Sequence, residues 1–176
     1  MHSASKGIAK VEFALRWDPG PRDAPPHDLD VVAATYLGDA PQGAPDYVVH
    51  FDSRSPDGTI NLNRDSHDGQ GFGYDEVMTL ELDRLAPRYG RVVVGVVIQQ
   101  RAGRLTFGEV AQPGVRVREE YTDLVVEDFA GVAGSTAATV VEFLRDEAGE
   151  WRLLPALRGY DVDPADFPGV MGGPAS

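Results

Sequence analysis

Apolar and polar residues alternate along most of this chain. In the stretch 11–17, Val11, Phe13, Leu15 and Trp17 fall on one side of an extended backbone, while Glu12, Ala14 and Arg16 fall on the other. That period of two marks a strand with one buried face. Further strands are expected at 31–37, 47–52, 59–63 and 77–82. The stretch 91–100, RVVVGVVIQQ, is a near-continuous β-branched run, the pattern of a central strand buried on both faces. Segments 115–118, 123–127, 139–145 and 150–154 bring the expected strands to about ten.

Turn signals separate these runs: Asp18-Pro19-Gly20, Ser55-Pro56-Asp57-Gly58 and Ala148-Gly149. Asp57-Gly58 between 47–52 and 59–63 predicts a hairpin, and Ala148-Gly149 between 139–145 and 150–154 predicts another. Helix is scarce, with a single short turn expected in 82–89 before Pro87 interrupts it. Many short strands without βαβ alternation predict an all-β sandwich of two mainly antiparallel sheets. Stretches 18–26 and 38–45 read as Pro/Gly-rich loops. Residues 1–163 read as one domain, followed by a Pro/Gly-rich C-terminal tail, 164–176, loose at its end.

Composition narrows the function classes. A chain of 176 residues, 42% apolar and 25% charged, buries a substantial core without staples. Its net charge of −12 repels phosphate backbones and argues against nucleic acid as a partner. There is no cysteine, which excludes disulfides, thiolate metal sites and thiol redox chemistry. No apolar run is long enough to span a bilayer. The opening MHSASKGIAKVEF lacks the apolar region of a signal peptide, so a cytoplasmic protein is expected.

Chemistry concentrates in residues 64–76, RDSHDGQGFGYDE. Gly69, Gly71 and Gly73 alternate between Asp65 and Asp68 on one side and Asp75 and Glu76 on the other. Glycine lets a backbone turn sharply and bring carbonyl oxygens near a ligand. Carboxylates clustered with carbonyls suit a hard cation such as Ca2+, which takes six to eight oxygens. Upstream, Asp28 and Asp30 flank Leu29 at the start of an expected strand, both on one face. Two carboxylates so placed repel unless something positive lies between them, and the two segments together read as a calcium site. A solvated acidic loop, with Asp28 and Asp30 as loop-end caps, is the alternative on these residues alone.

Other motifs fit less well. With Asp65 as the first position of an EF-hand loop, Glu76 falls on the last, but Gln70 stands at the obligatory glycine and flanking helices are missing. The alternate matches to a calcium-binding β-helix repeat occur once, where such folds need stacked copies. Phosphate cradling lacks the Lys-Ser/Thr and the helix that should follow the glycines. Ser66-His67-Asp68 has triad residue types, but sequence neighbours cannot orient one another as a relay. His27, His50 and His67 suggest zinc less than the oxygen-rich loop suggests a hard ion. Trp17 and Trp151 are expected in the core.

The order of these pieces resembles the TerD family of tellurium-resistance and stress proteins. The resemblance runs nearly end to end through Ser5-Lys6-Gly7, Trp17-Asp18, Asp28-Leu29-Asp30, Ser55-Pro56-Asp57-Gly58, the glycine loop and Asp75-Glu76. It continues through Phe107-Gly108-Glu109-Val110, Gly149-Glu150-Trp151-Arg152 and Gly159-Tyr160. The resemblance implies a two-sheet β-sandwich that binds calcium, commonly two ions, through the segments matching 28–30 and 65–76. Asp28, Asp30, Asp65, Asp75 and Glu76 match acidic family positions; Ser66 stands where the family usually has Asn, and Asp68 where it has a small polar residue. With Gly71 and Gly73 these form the expected ligand set. Phe72 and Tyr74 replace two family aspartates, which leaves one good ion site expected and the second weak or missing. The same aromatics are candidates for a contact patch toward a partner or membrane surface, or for folding back over the sandwich edge.

The expected function is non-enzymatic: calcium orders the two loops of a binding or scaffolding module in bacterial stress response and tellurite resistance. A protein partner is expected. Direct handling of tellurite is disfavoured, since tellurite reacts chiefly with thiols and the chain has none. A calcium-dependent membrane or carbohydrate adaptor and a metal-assisted hydrolase are the alternatives.

Overall fold

The computed structural model describes residues 7–64, 73–101 and 103–173. Ten strands, β1 (Lys10–Arg16), β2 (Leu29–Leu37), β3 (Tyr47–Val49), β4 (Ile60–Arg64), β5 (Glu76–Glu81), β6 (Tyr89–Ile98), β7 (Gly114–Glu119), β8 (Thr122–Glu127), β9 (Ala137–Arg145) and β10 (Trp151–Tyr160), form two five-stranded antiparallel sheets. The first sheet runs β4-β5-β1-β7-β8 and the second β10-β9-β6-β2-β3. The all-β sandwich expected from alternation is the fold found.

The principal core lies between the sheets. Val11, Phe13 and Leu15 of β1 and Met78 and Leu80 of β5 meet Leu29, Val31 and Ala33 of β2 and Val92, Val94 and Val96 of β6 there. Trp17 and Trp151 join them, as expected. β6 occupies the middle of its sheet and is buried on both faces. Alternation misplaces one residue of β1: Ala14, assigned outward with Glu12 and Arg16, is buried. It stands between Val77 and Arg116 in the ladder, where neighbouring longer side chains cover a methyl group.

The outer face of the second sheet is buried for a different reason. Val32, Ala34 and Tyr36 of β2, Val93 and Val97 of β6, and Tyr160 of β10 pack against Phe167 and Met171 in a second apolar cluster. Phe167 opens α1 (Phe167–Val170), a single turn preceded by a 3-10 turn at Pro164–Asp166. The segment from Pro164 to Met171 therefore lies against the sheet. Arg91 fastens its end: Nη1 donates to Gly172 O at 2.8 Å and to Pro41 O at 2.9 Å, while Nε donates to Glu142 Oε1 at 3.4 Å.

One expected hairpin forms and the other does not. Across Ala148-Gly149, Gly149 N–H donates to Asp146 O and Asp146 N–H to Glu150 O, closing β9 onto β10 with Gly149 at φ +82°. Asp57-Gly58 is also a tight turn. Gly58 has φ +75°, and Asp57 Oδ1 accepts from Ser55 Oγ at 2.6 Å and from Thr59 Oγ1 at 2.7 Å. But β3 pairs with β2 and β4 with β5, so this turn lies on a crossover between sheets instead of closing a ladder. Turn chemistry fixes where the chain reverses, not which strands pair. β10 runs past the expected end at 154 because it is an edge strand, where Pro155 costs no ladder bond and the register simply shifts. The expected turn after β5 is the 3-10 turn Leu82–Arg84.

Gly95 shows how closely the C-terminal segment packs on β6. A Cβ there would lie 2.5 Å from Ala138 O and 2.8 Å from Phe167 Cζ. Gly95→Ala is expected to destabilise the fold by about 1–3 kcal/mol, the usual range for overpacking, measured as a shift of the urea midpoint at unchanged slope. A midpoint equal to wild type would show that the segment is not packed as described.

Candidate metal centre

At one end of the sandwich the two sheets are joined by acidic side chains. Asp28 precedes β2 and Asp30 is its second residue; Gln99 N–H donates to Asp28 O at 2.8 Å, tying this end to the end of β6. In the opposite sheet Asp75 precedes β5 and Glu76 is its first residue. Each carboxylate holds backbone from another strand. Trp17 N–H donates to Asp75 Oδ2 at 2.8 Å, and Val31 N–H donates to Glu76 Oε1 at 2.8 Å, the latter bridging the sheets. Trp17 Nε1–H donates to His27 O at 2.8 Å, so the tryptophan that follows β1 also holds the approach to Asp28.

Asp28, Asp30 and Glu76 each present a carboxylate oxygen such that all three oxygens lie within 4.8 Å of one another. The residues are 2%, 1% and 0% exposed. Oxygens held at roughly 2.4 Å on opposite sides of one calcium ion lie roughly 4.8 Å apart, so the trio fits inside a single coordination sphere. Two unit negative charges at that separation repel by about 3 kcal/mol per pair at an effective dielectric of about 20. Opposing this, Arg101 Nη2 reaches Asp28 Oδ2 at 2.6 Å, but the arginine side chain is 46% exposed and its attraction is screened by solvent. Gln99 Nε2 donates to Asp30 Oδ2 at 2.6 Å without supplying charge. A cluster of this composition, all hard oxygen donors, suits a hard divalent cation.

The structure brings Asp28, Asp30 and Glu76 of the expected ligand set together. Asp75 lies beside them, its carboxylate holding the end of β1. Gly73 is exposed with φ +77°, the conformation glycine adopts readily. Asp65, Ser66, Asp68 and Gly71, like Phe72, fall outside the described residues. Tyr74 folds onto the first sheet, with the Arg116 guanidinium 4.6 Å above its ring. Among the described residues, the group able to hold an ion contains no histidine, and His50 Nδ1 is taken up by Asp52 N–H at 3.1 Å. Sequence reasoning missed Gln99 and Arg101. The signal was there: the apolar run of β6 breaks abruptly into Gln99-Gln100-Arg101, and a central strand ending in polar residues faces a polar end of the sheet.

The TerD domain model matches residues 1–165. The chain belongs to the TerD family. A crystal structure of a protein of unknown function, SAV2460, has a TM-score of 0.94 at 65% identity, covering 96% of this chain and 99% of that one. A TerD homologue from Streptomyces coelicolor A3(2), SCO6318, has a TM-score of 0.93 at 54% identity, covering 96% of this chain and all, 100%, of its own. The tellurium resistance protein TerD of Serratia marcescens is 25% identical over 164 residues, 91% of this chain and 85% of that protein. The uncharacterised protein YceE of Bacillus subtilis is 28% identical over 160 residues, 88% of this chain and 83% of its own length.

The cross-sheet bond gives a prediction independent of metal. Glu76→Ala and Glu76→Gln remove the same charge from the trio, but only Glu76→Ala also leaves the Val31 N–H buried without its acceptor, so Glu76→Ala is expected to be about 1–3 kcal/mol less stable than Glu76→Gln. Chemical denaturation of chelator-treated protein measures this. Equal stability of the two variants would mean that Glu76 does not hold β2.

Proposed function

We propose that this TerD-family protein is a non-enzymatic, cytoplasmic calcium-binding module of tellurium and stress resistance. One observation carries the reading: three buried carboxylates from two sheets lie within one ion's coordination sphere. Asp28, Asp30 and Glu76 would hold the ion, with the loop 65–72 supplying further oxygens. Bound calcium would supply the positive charge that three converging carboxylates require. Asp28 and Asp30 come from the second sheet and Glu76 from the first, so a shared ion would clamp the sheet ends and the loop between β4 and β5. The clamped end then becomes a surface with a calcium-dependent shape for a protein partner. Resistance follows from the relatives' names. Among the described residues no helix is long and apolar enough to cross a membrane.

Titration calorimetry of chelator-stripped protein tests this. One calcium ion per chain is expected at micromolar affinity, with magnesium at least about tenfold weaker because it resists dehydration and demands a tighter octahedron. Calcium at about 100 times its dissociation constant adds about 2.7 kcal/mol, raising the melting temperature by roughly 5–10 °C for a domain of this size. Asp30→Asn should lower the affinity at least about tenfold (about 1.4 kcal/mol or more). No heat up to millimolar calcium would refute the proposal.

A further inference from the structure

The acidic end already holds one cation, the guanidinium of Arg101. This residue follows β6 by three positions, and its Nη2 lies 2.6 Å from Asp28 Oδ2. The Asp28 side chain is 3% exposed, so a charge belonging to the chain occupies a carboxylate that water hardly reaches. The backbone from which Arg101 reaches is pinned beside the trio. Gln99 N–H donates to Asp28 O at 2.8 Å, and Gln99 Nε2 donates to Asp30 Oδ2 at 2.6 Å. Gln100 Nε2 donates to Ile98 O and to Leu105 O, both at 3.0 Å, and its Oε1 accepts from Leu105 N–H at 2.7 Å. The arginine side chain itself is 46% exposed. A fixed base thus carries a cation with one end on a buried carboxylate and the rest in solvent.

We infer that Arg101 is a tethered counter-cation that competes with calcium for the carboxylate trio and so sets how tightly the ion is held. This role rests on the calcium site proposed above and adds a competitor to it. A divalent ion entering the trio either displaces the guanidinium from Asp28 or bears the repulsion between like charges, and both lower its apparent affinity. A cation on a short tether acts at a high effective concentration, so dilution of the protein does not relieve the competition. Its strength is bounded, because a partly exposed ion pair is worth at most about fivefold in an equilibrium. The opposite role, holding Asp28 in place for the ion, is already filled without Arg101: Gln99 N–H fixes the Asp28 carbonyl, and Trp17 Nε1–H fixes that of His27 before it. What Arg101 adds is positive charge, and positive charge opposes a metal ion.

Calcium titration calorimetry on the full-length, chelator-stripped chain and on its Arg101→Gln variant tests this. Arg101→Gln is expected to bind calcium about three- to fivefold more tightly than wild type. The gap should shrink between about 0.01 M and about 1 M salt, where the Debye length falls from about 30 to about 3 Å, since the guanidinium is half exposed. A side chain with a merely structural role would leave the affinity equal or make it weaker, and would give no such salt dependence. Calcium binding by Arg101→Gln with none by wild type would uphold the competition and sink only the micromolar affinity proposed for the wild-type chain. Equal or weaker binding by Arg101→Gln, or a gap unchanged by salt, would overturn the competition and leave the calcium site standing. No binding by either chain would overturn both.

Discussion

Mutual repulsion among buried carboxylates governs this fold's active end. Three of them, drawn from two sheets, converge within 4.8 Å, and each pair costs about 3 kcal/mol at an effective dielectric of about 20 unless positive charge is supplied. Arg101 supplies some of it from a half-exposed position. The sandwich nonetheless commits these groups to burial, because two of the four acidic residues at this end also serve as backbone acceptors: Asp75 for Trp17 and Glu76 for Val31. The charge cluster and the joint between sheets are thus one construction. On the proposed function, an ion that neutralised the cluster would also tighten the joint between the sheets.

The rest of the molecule makes that end rigid. β6 is buried on both faces, by the opposite sheet on one side and by Phe167 and Met171 on the other. β2 lies beside it and carries Asp30 at its start. The position of Asp30 is therefore set by strands that cannot shift without opening two apolar clusters. The C-terminal segment is part of this support, and Arg91, inside the sheet, holds it through the carbonyls of Pro41 and Gly172.

Much of this was legible in the chain. The apolar pattern found all ten strands: alternation marks a strand with one buried face, and the unbroken β-branched run marked β6, buried on both. The acidic pairs at 28–30 and 75–76 pointed to each other through their chemistry, and the structure brings Asp28, Asp30 and Glu76 together. Pairing was less legible. Asp57-Gly58 looked like a hairpin because turn residues encode local backbone geometry, while the choice of sheet depends on distant partners. The packing of Phe167 was hidden for a related reason. A Pro/Gly-rich stretch reads as a tail, and only the space above Gly95 shows what it covers. Gln99 and Arg101 were missed because a polar side chain at a strand end carries no periodic signal.

Amide hydrogen exchange with and without calcium reads the central claim most directly, since the Val31 and Trp17 N–H groups donate to Glu76 and Asp75. A calcium-clamped joint predicts slowing at both amides by at least about tenfold at saturating ion, equivalent to about 1.4 kcal/mol, with little change at Tyr121 on the remote β7–β8 turn. Equal exchange at Val31 and Trp17 with and without calcium would contradict the account.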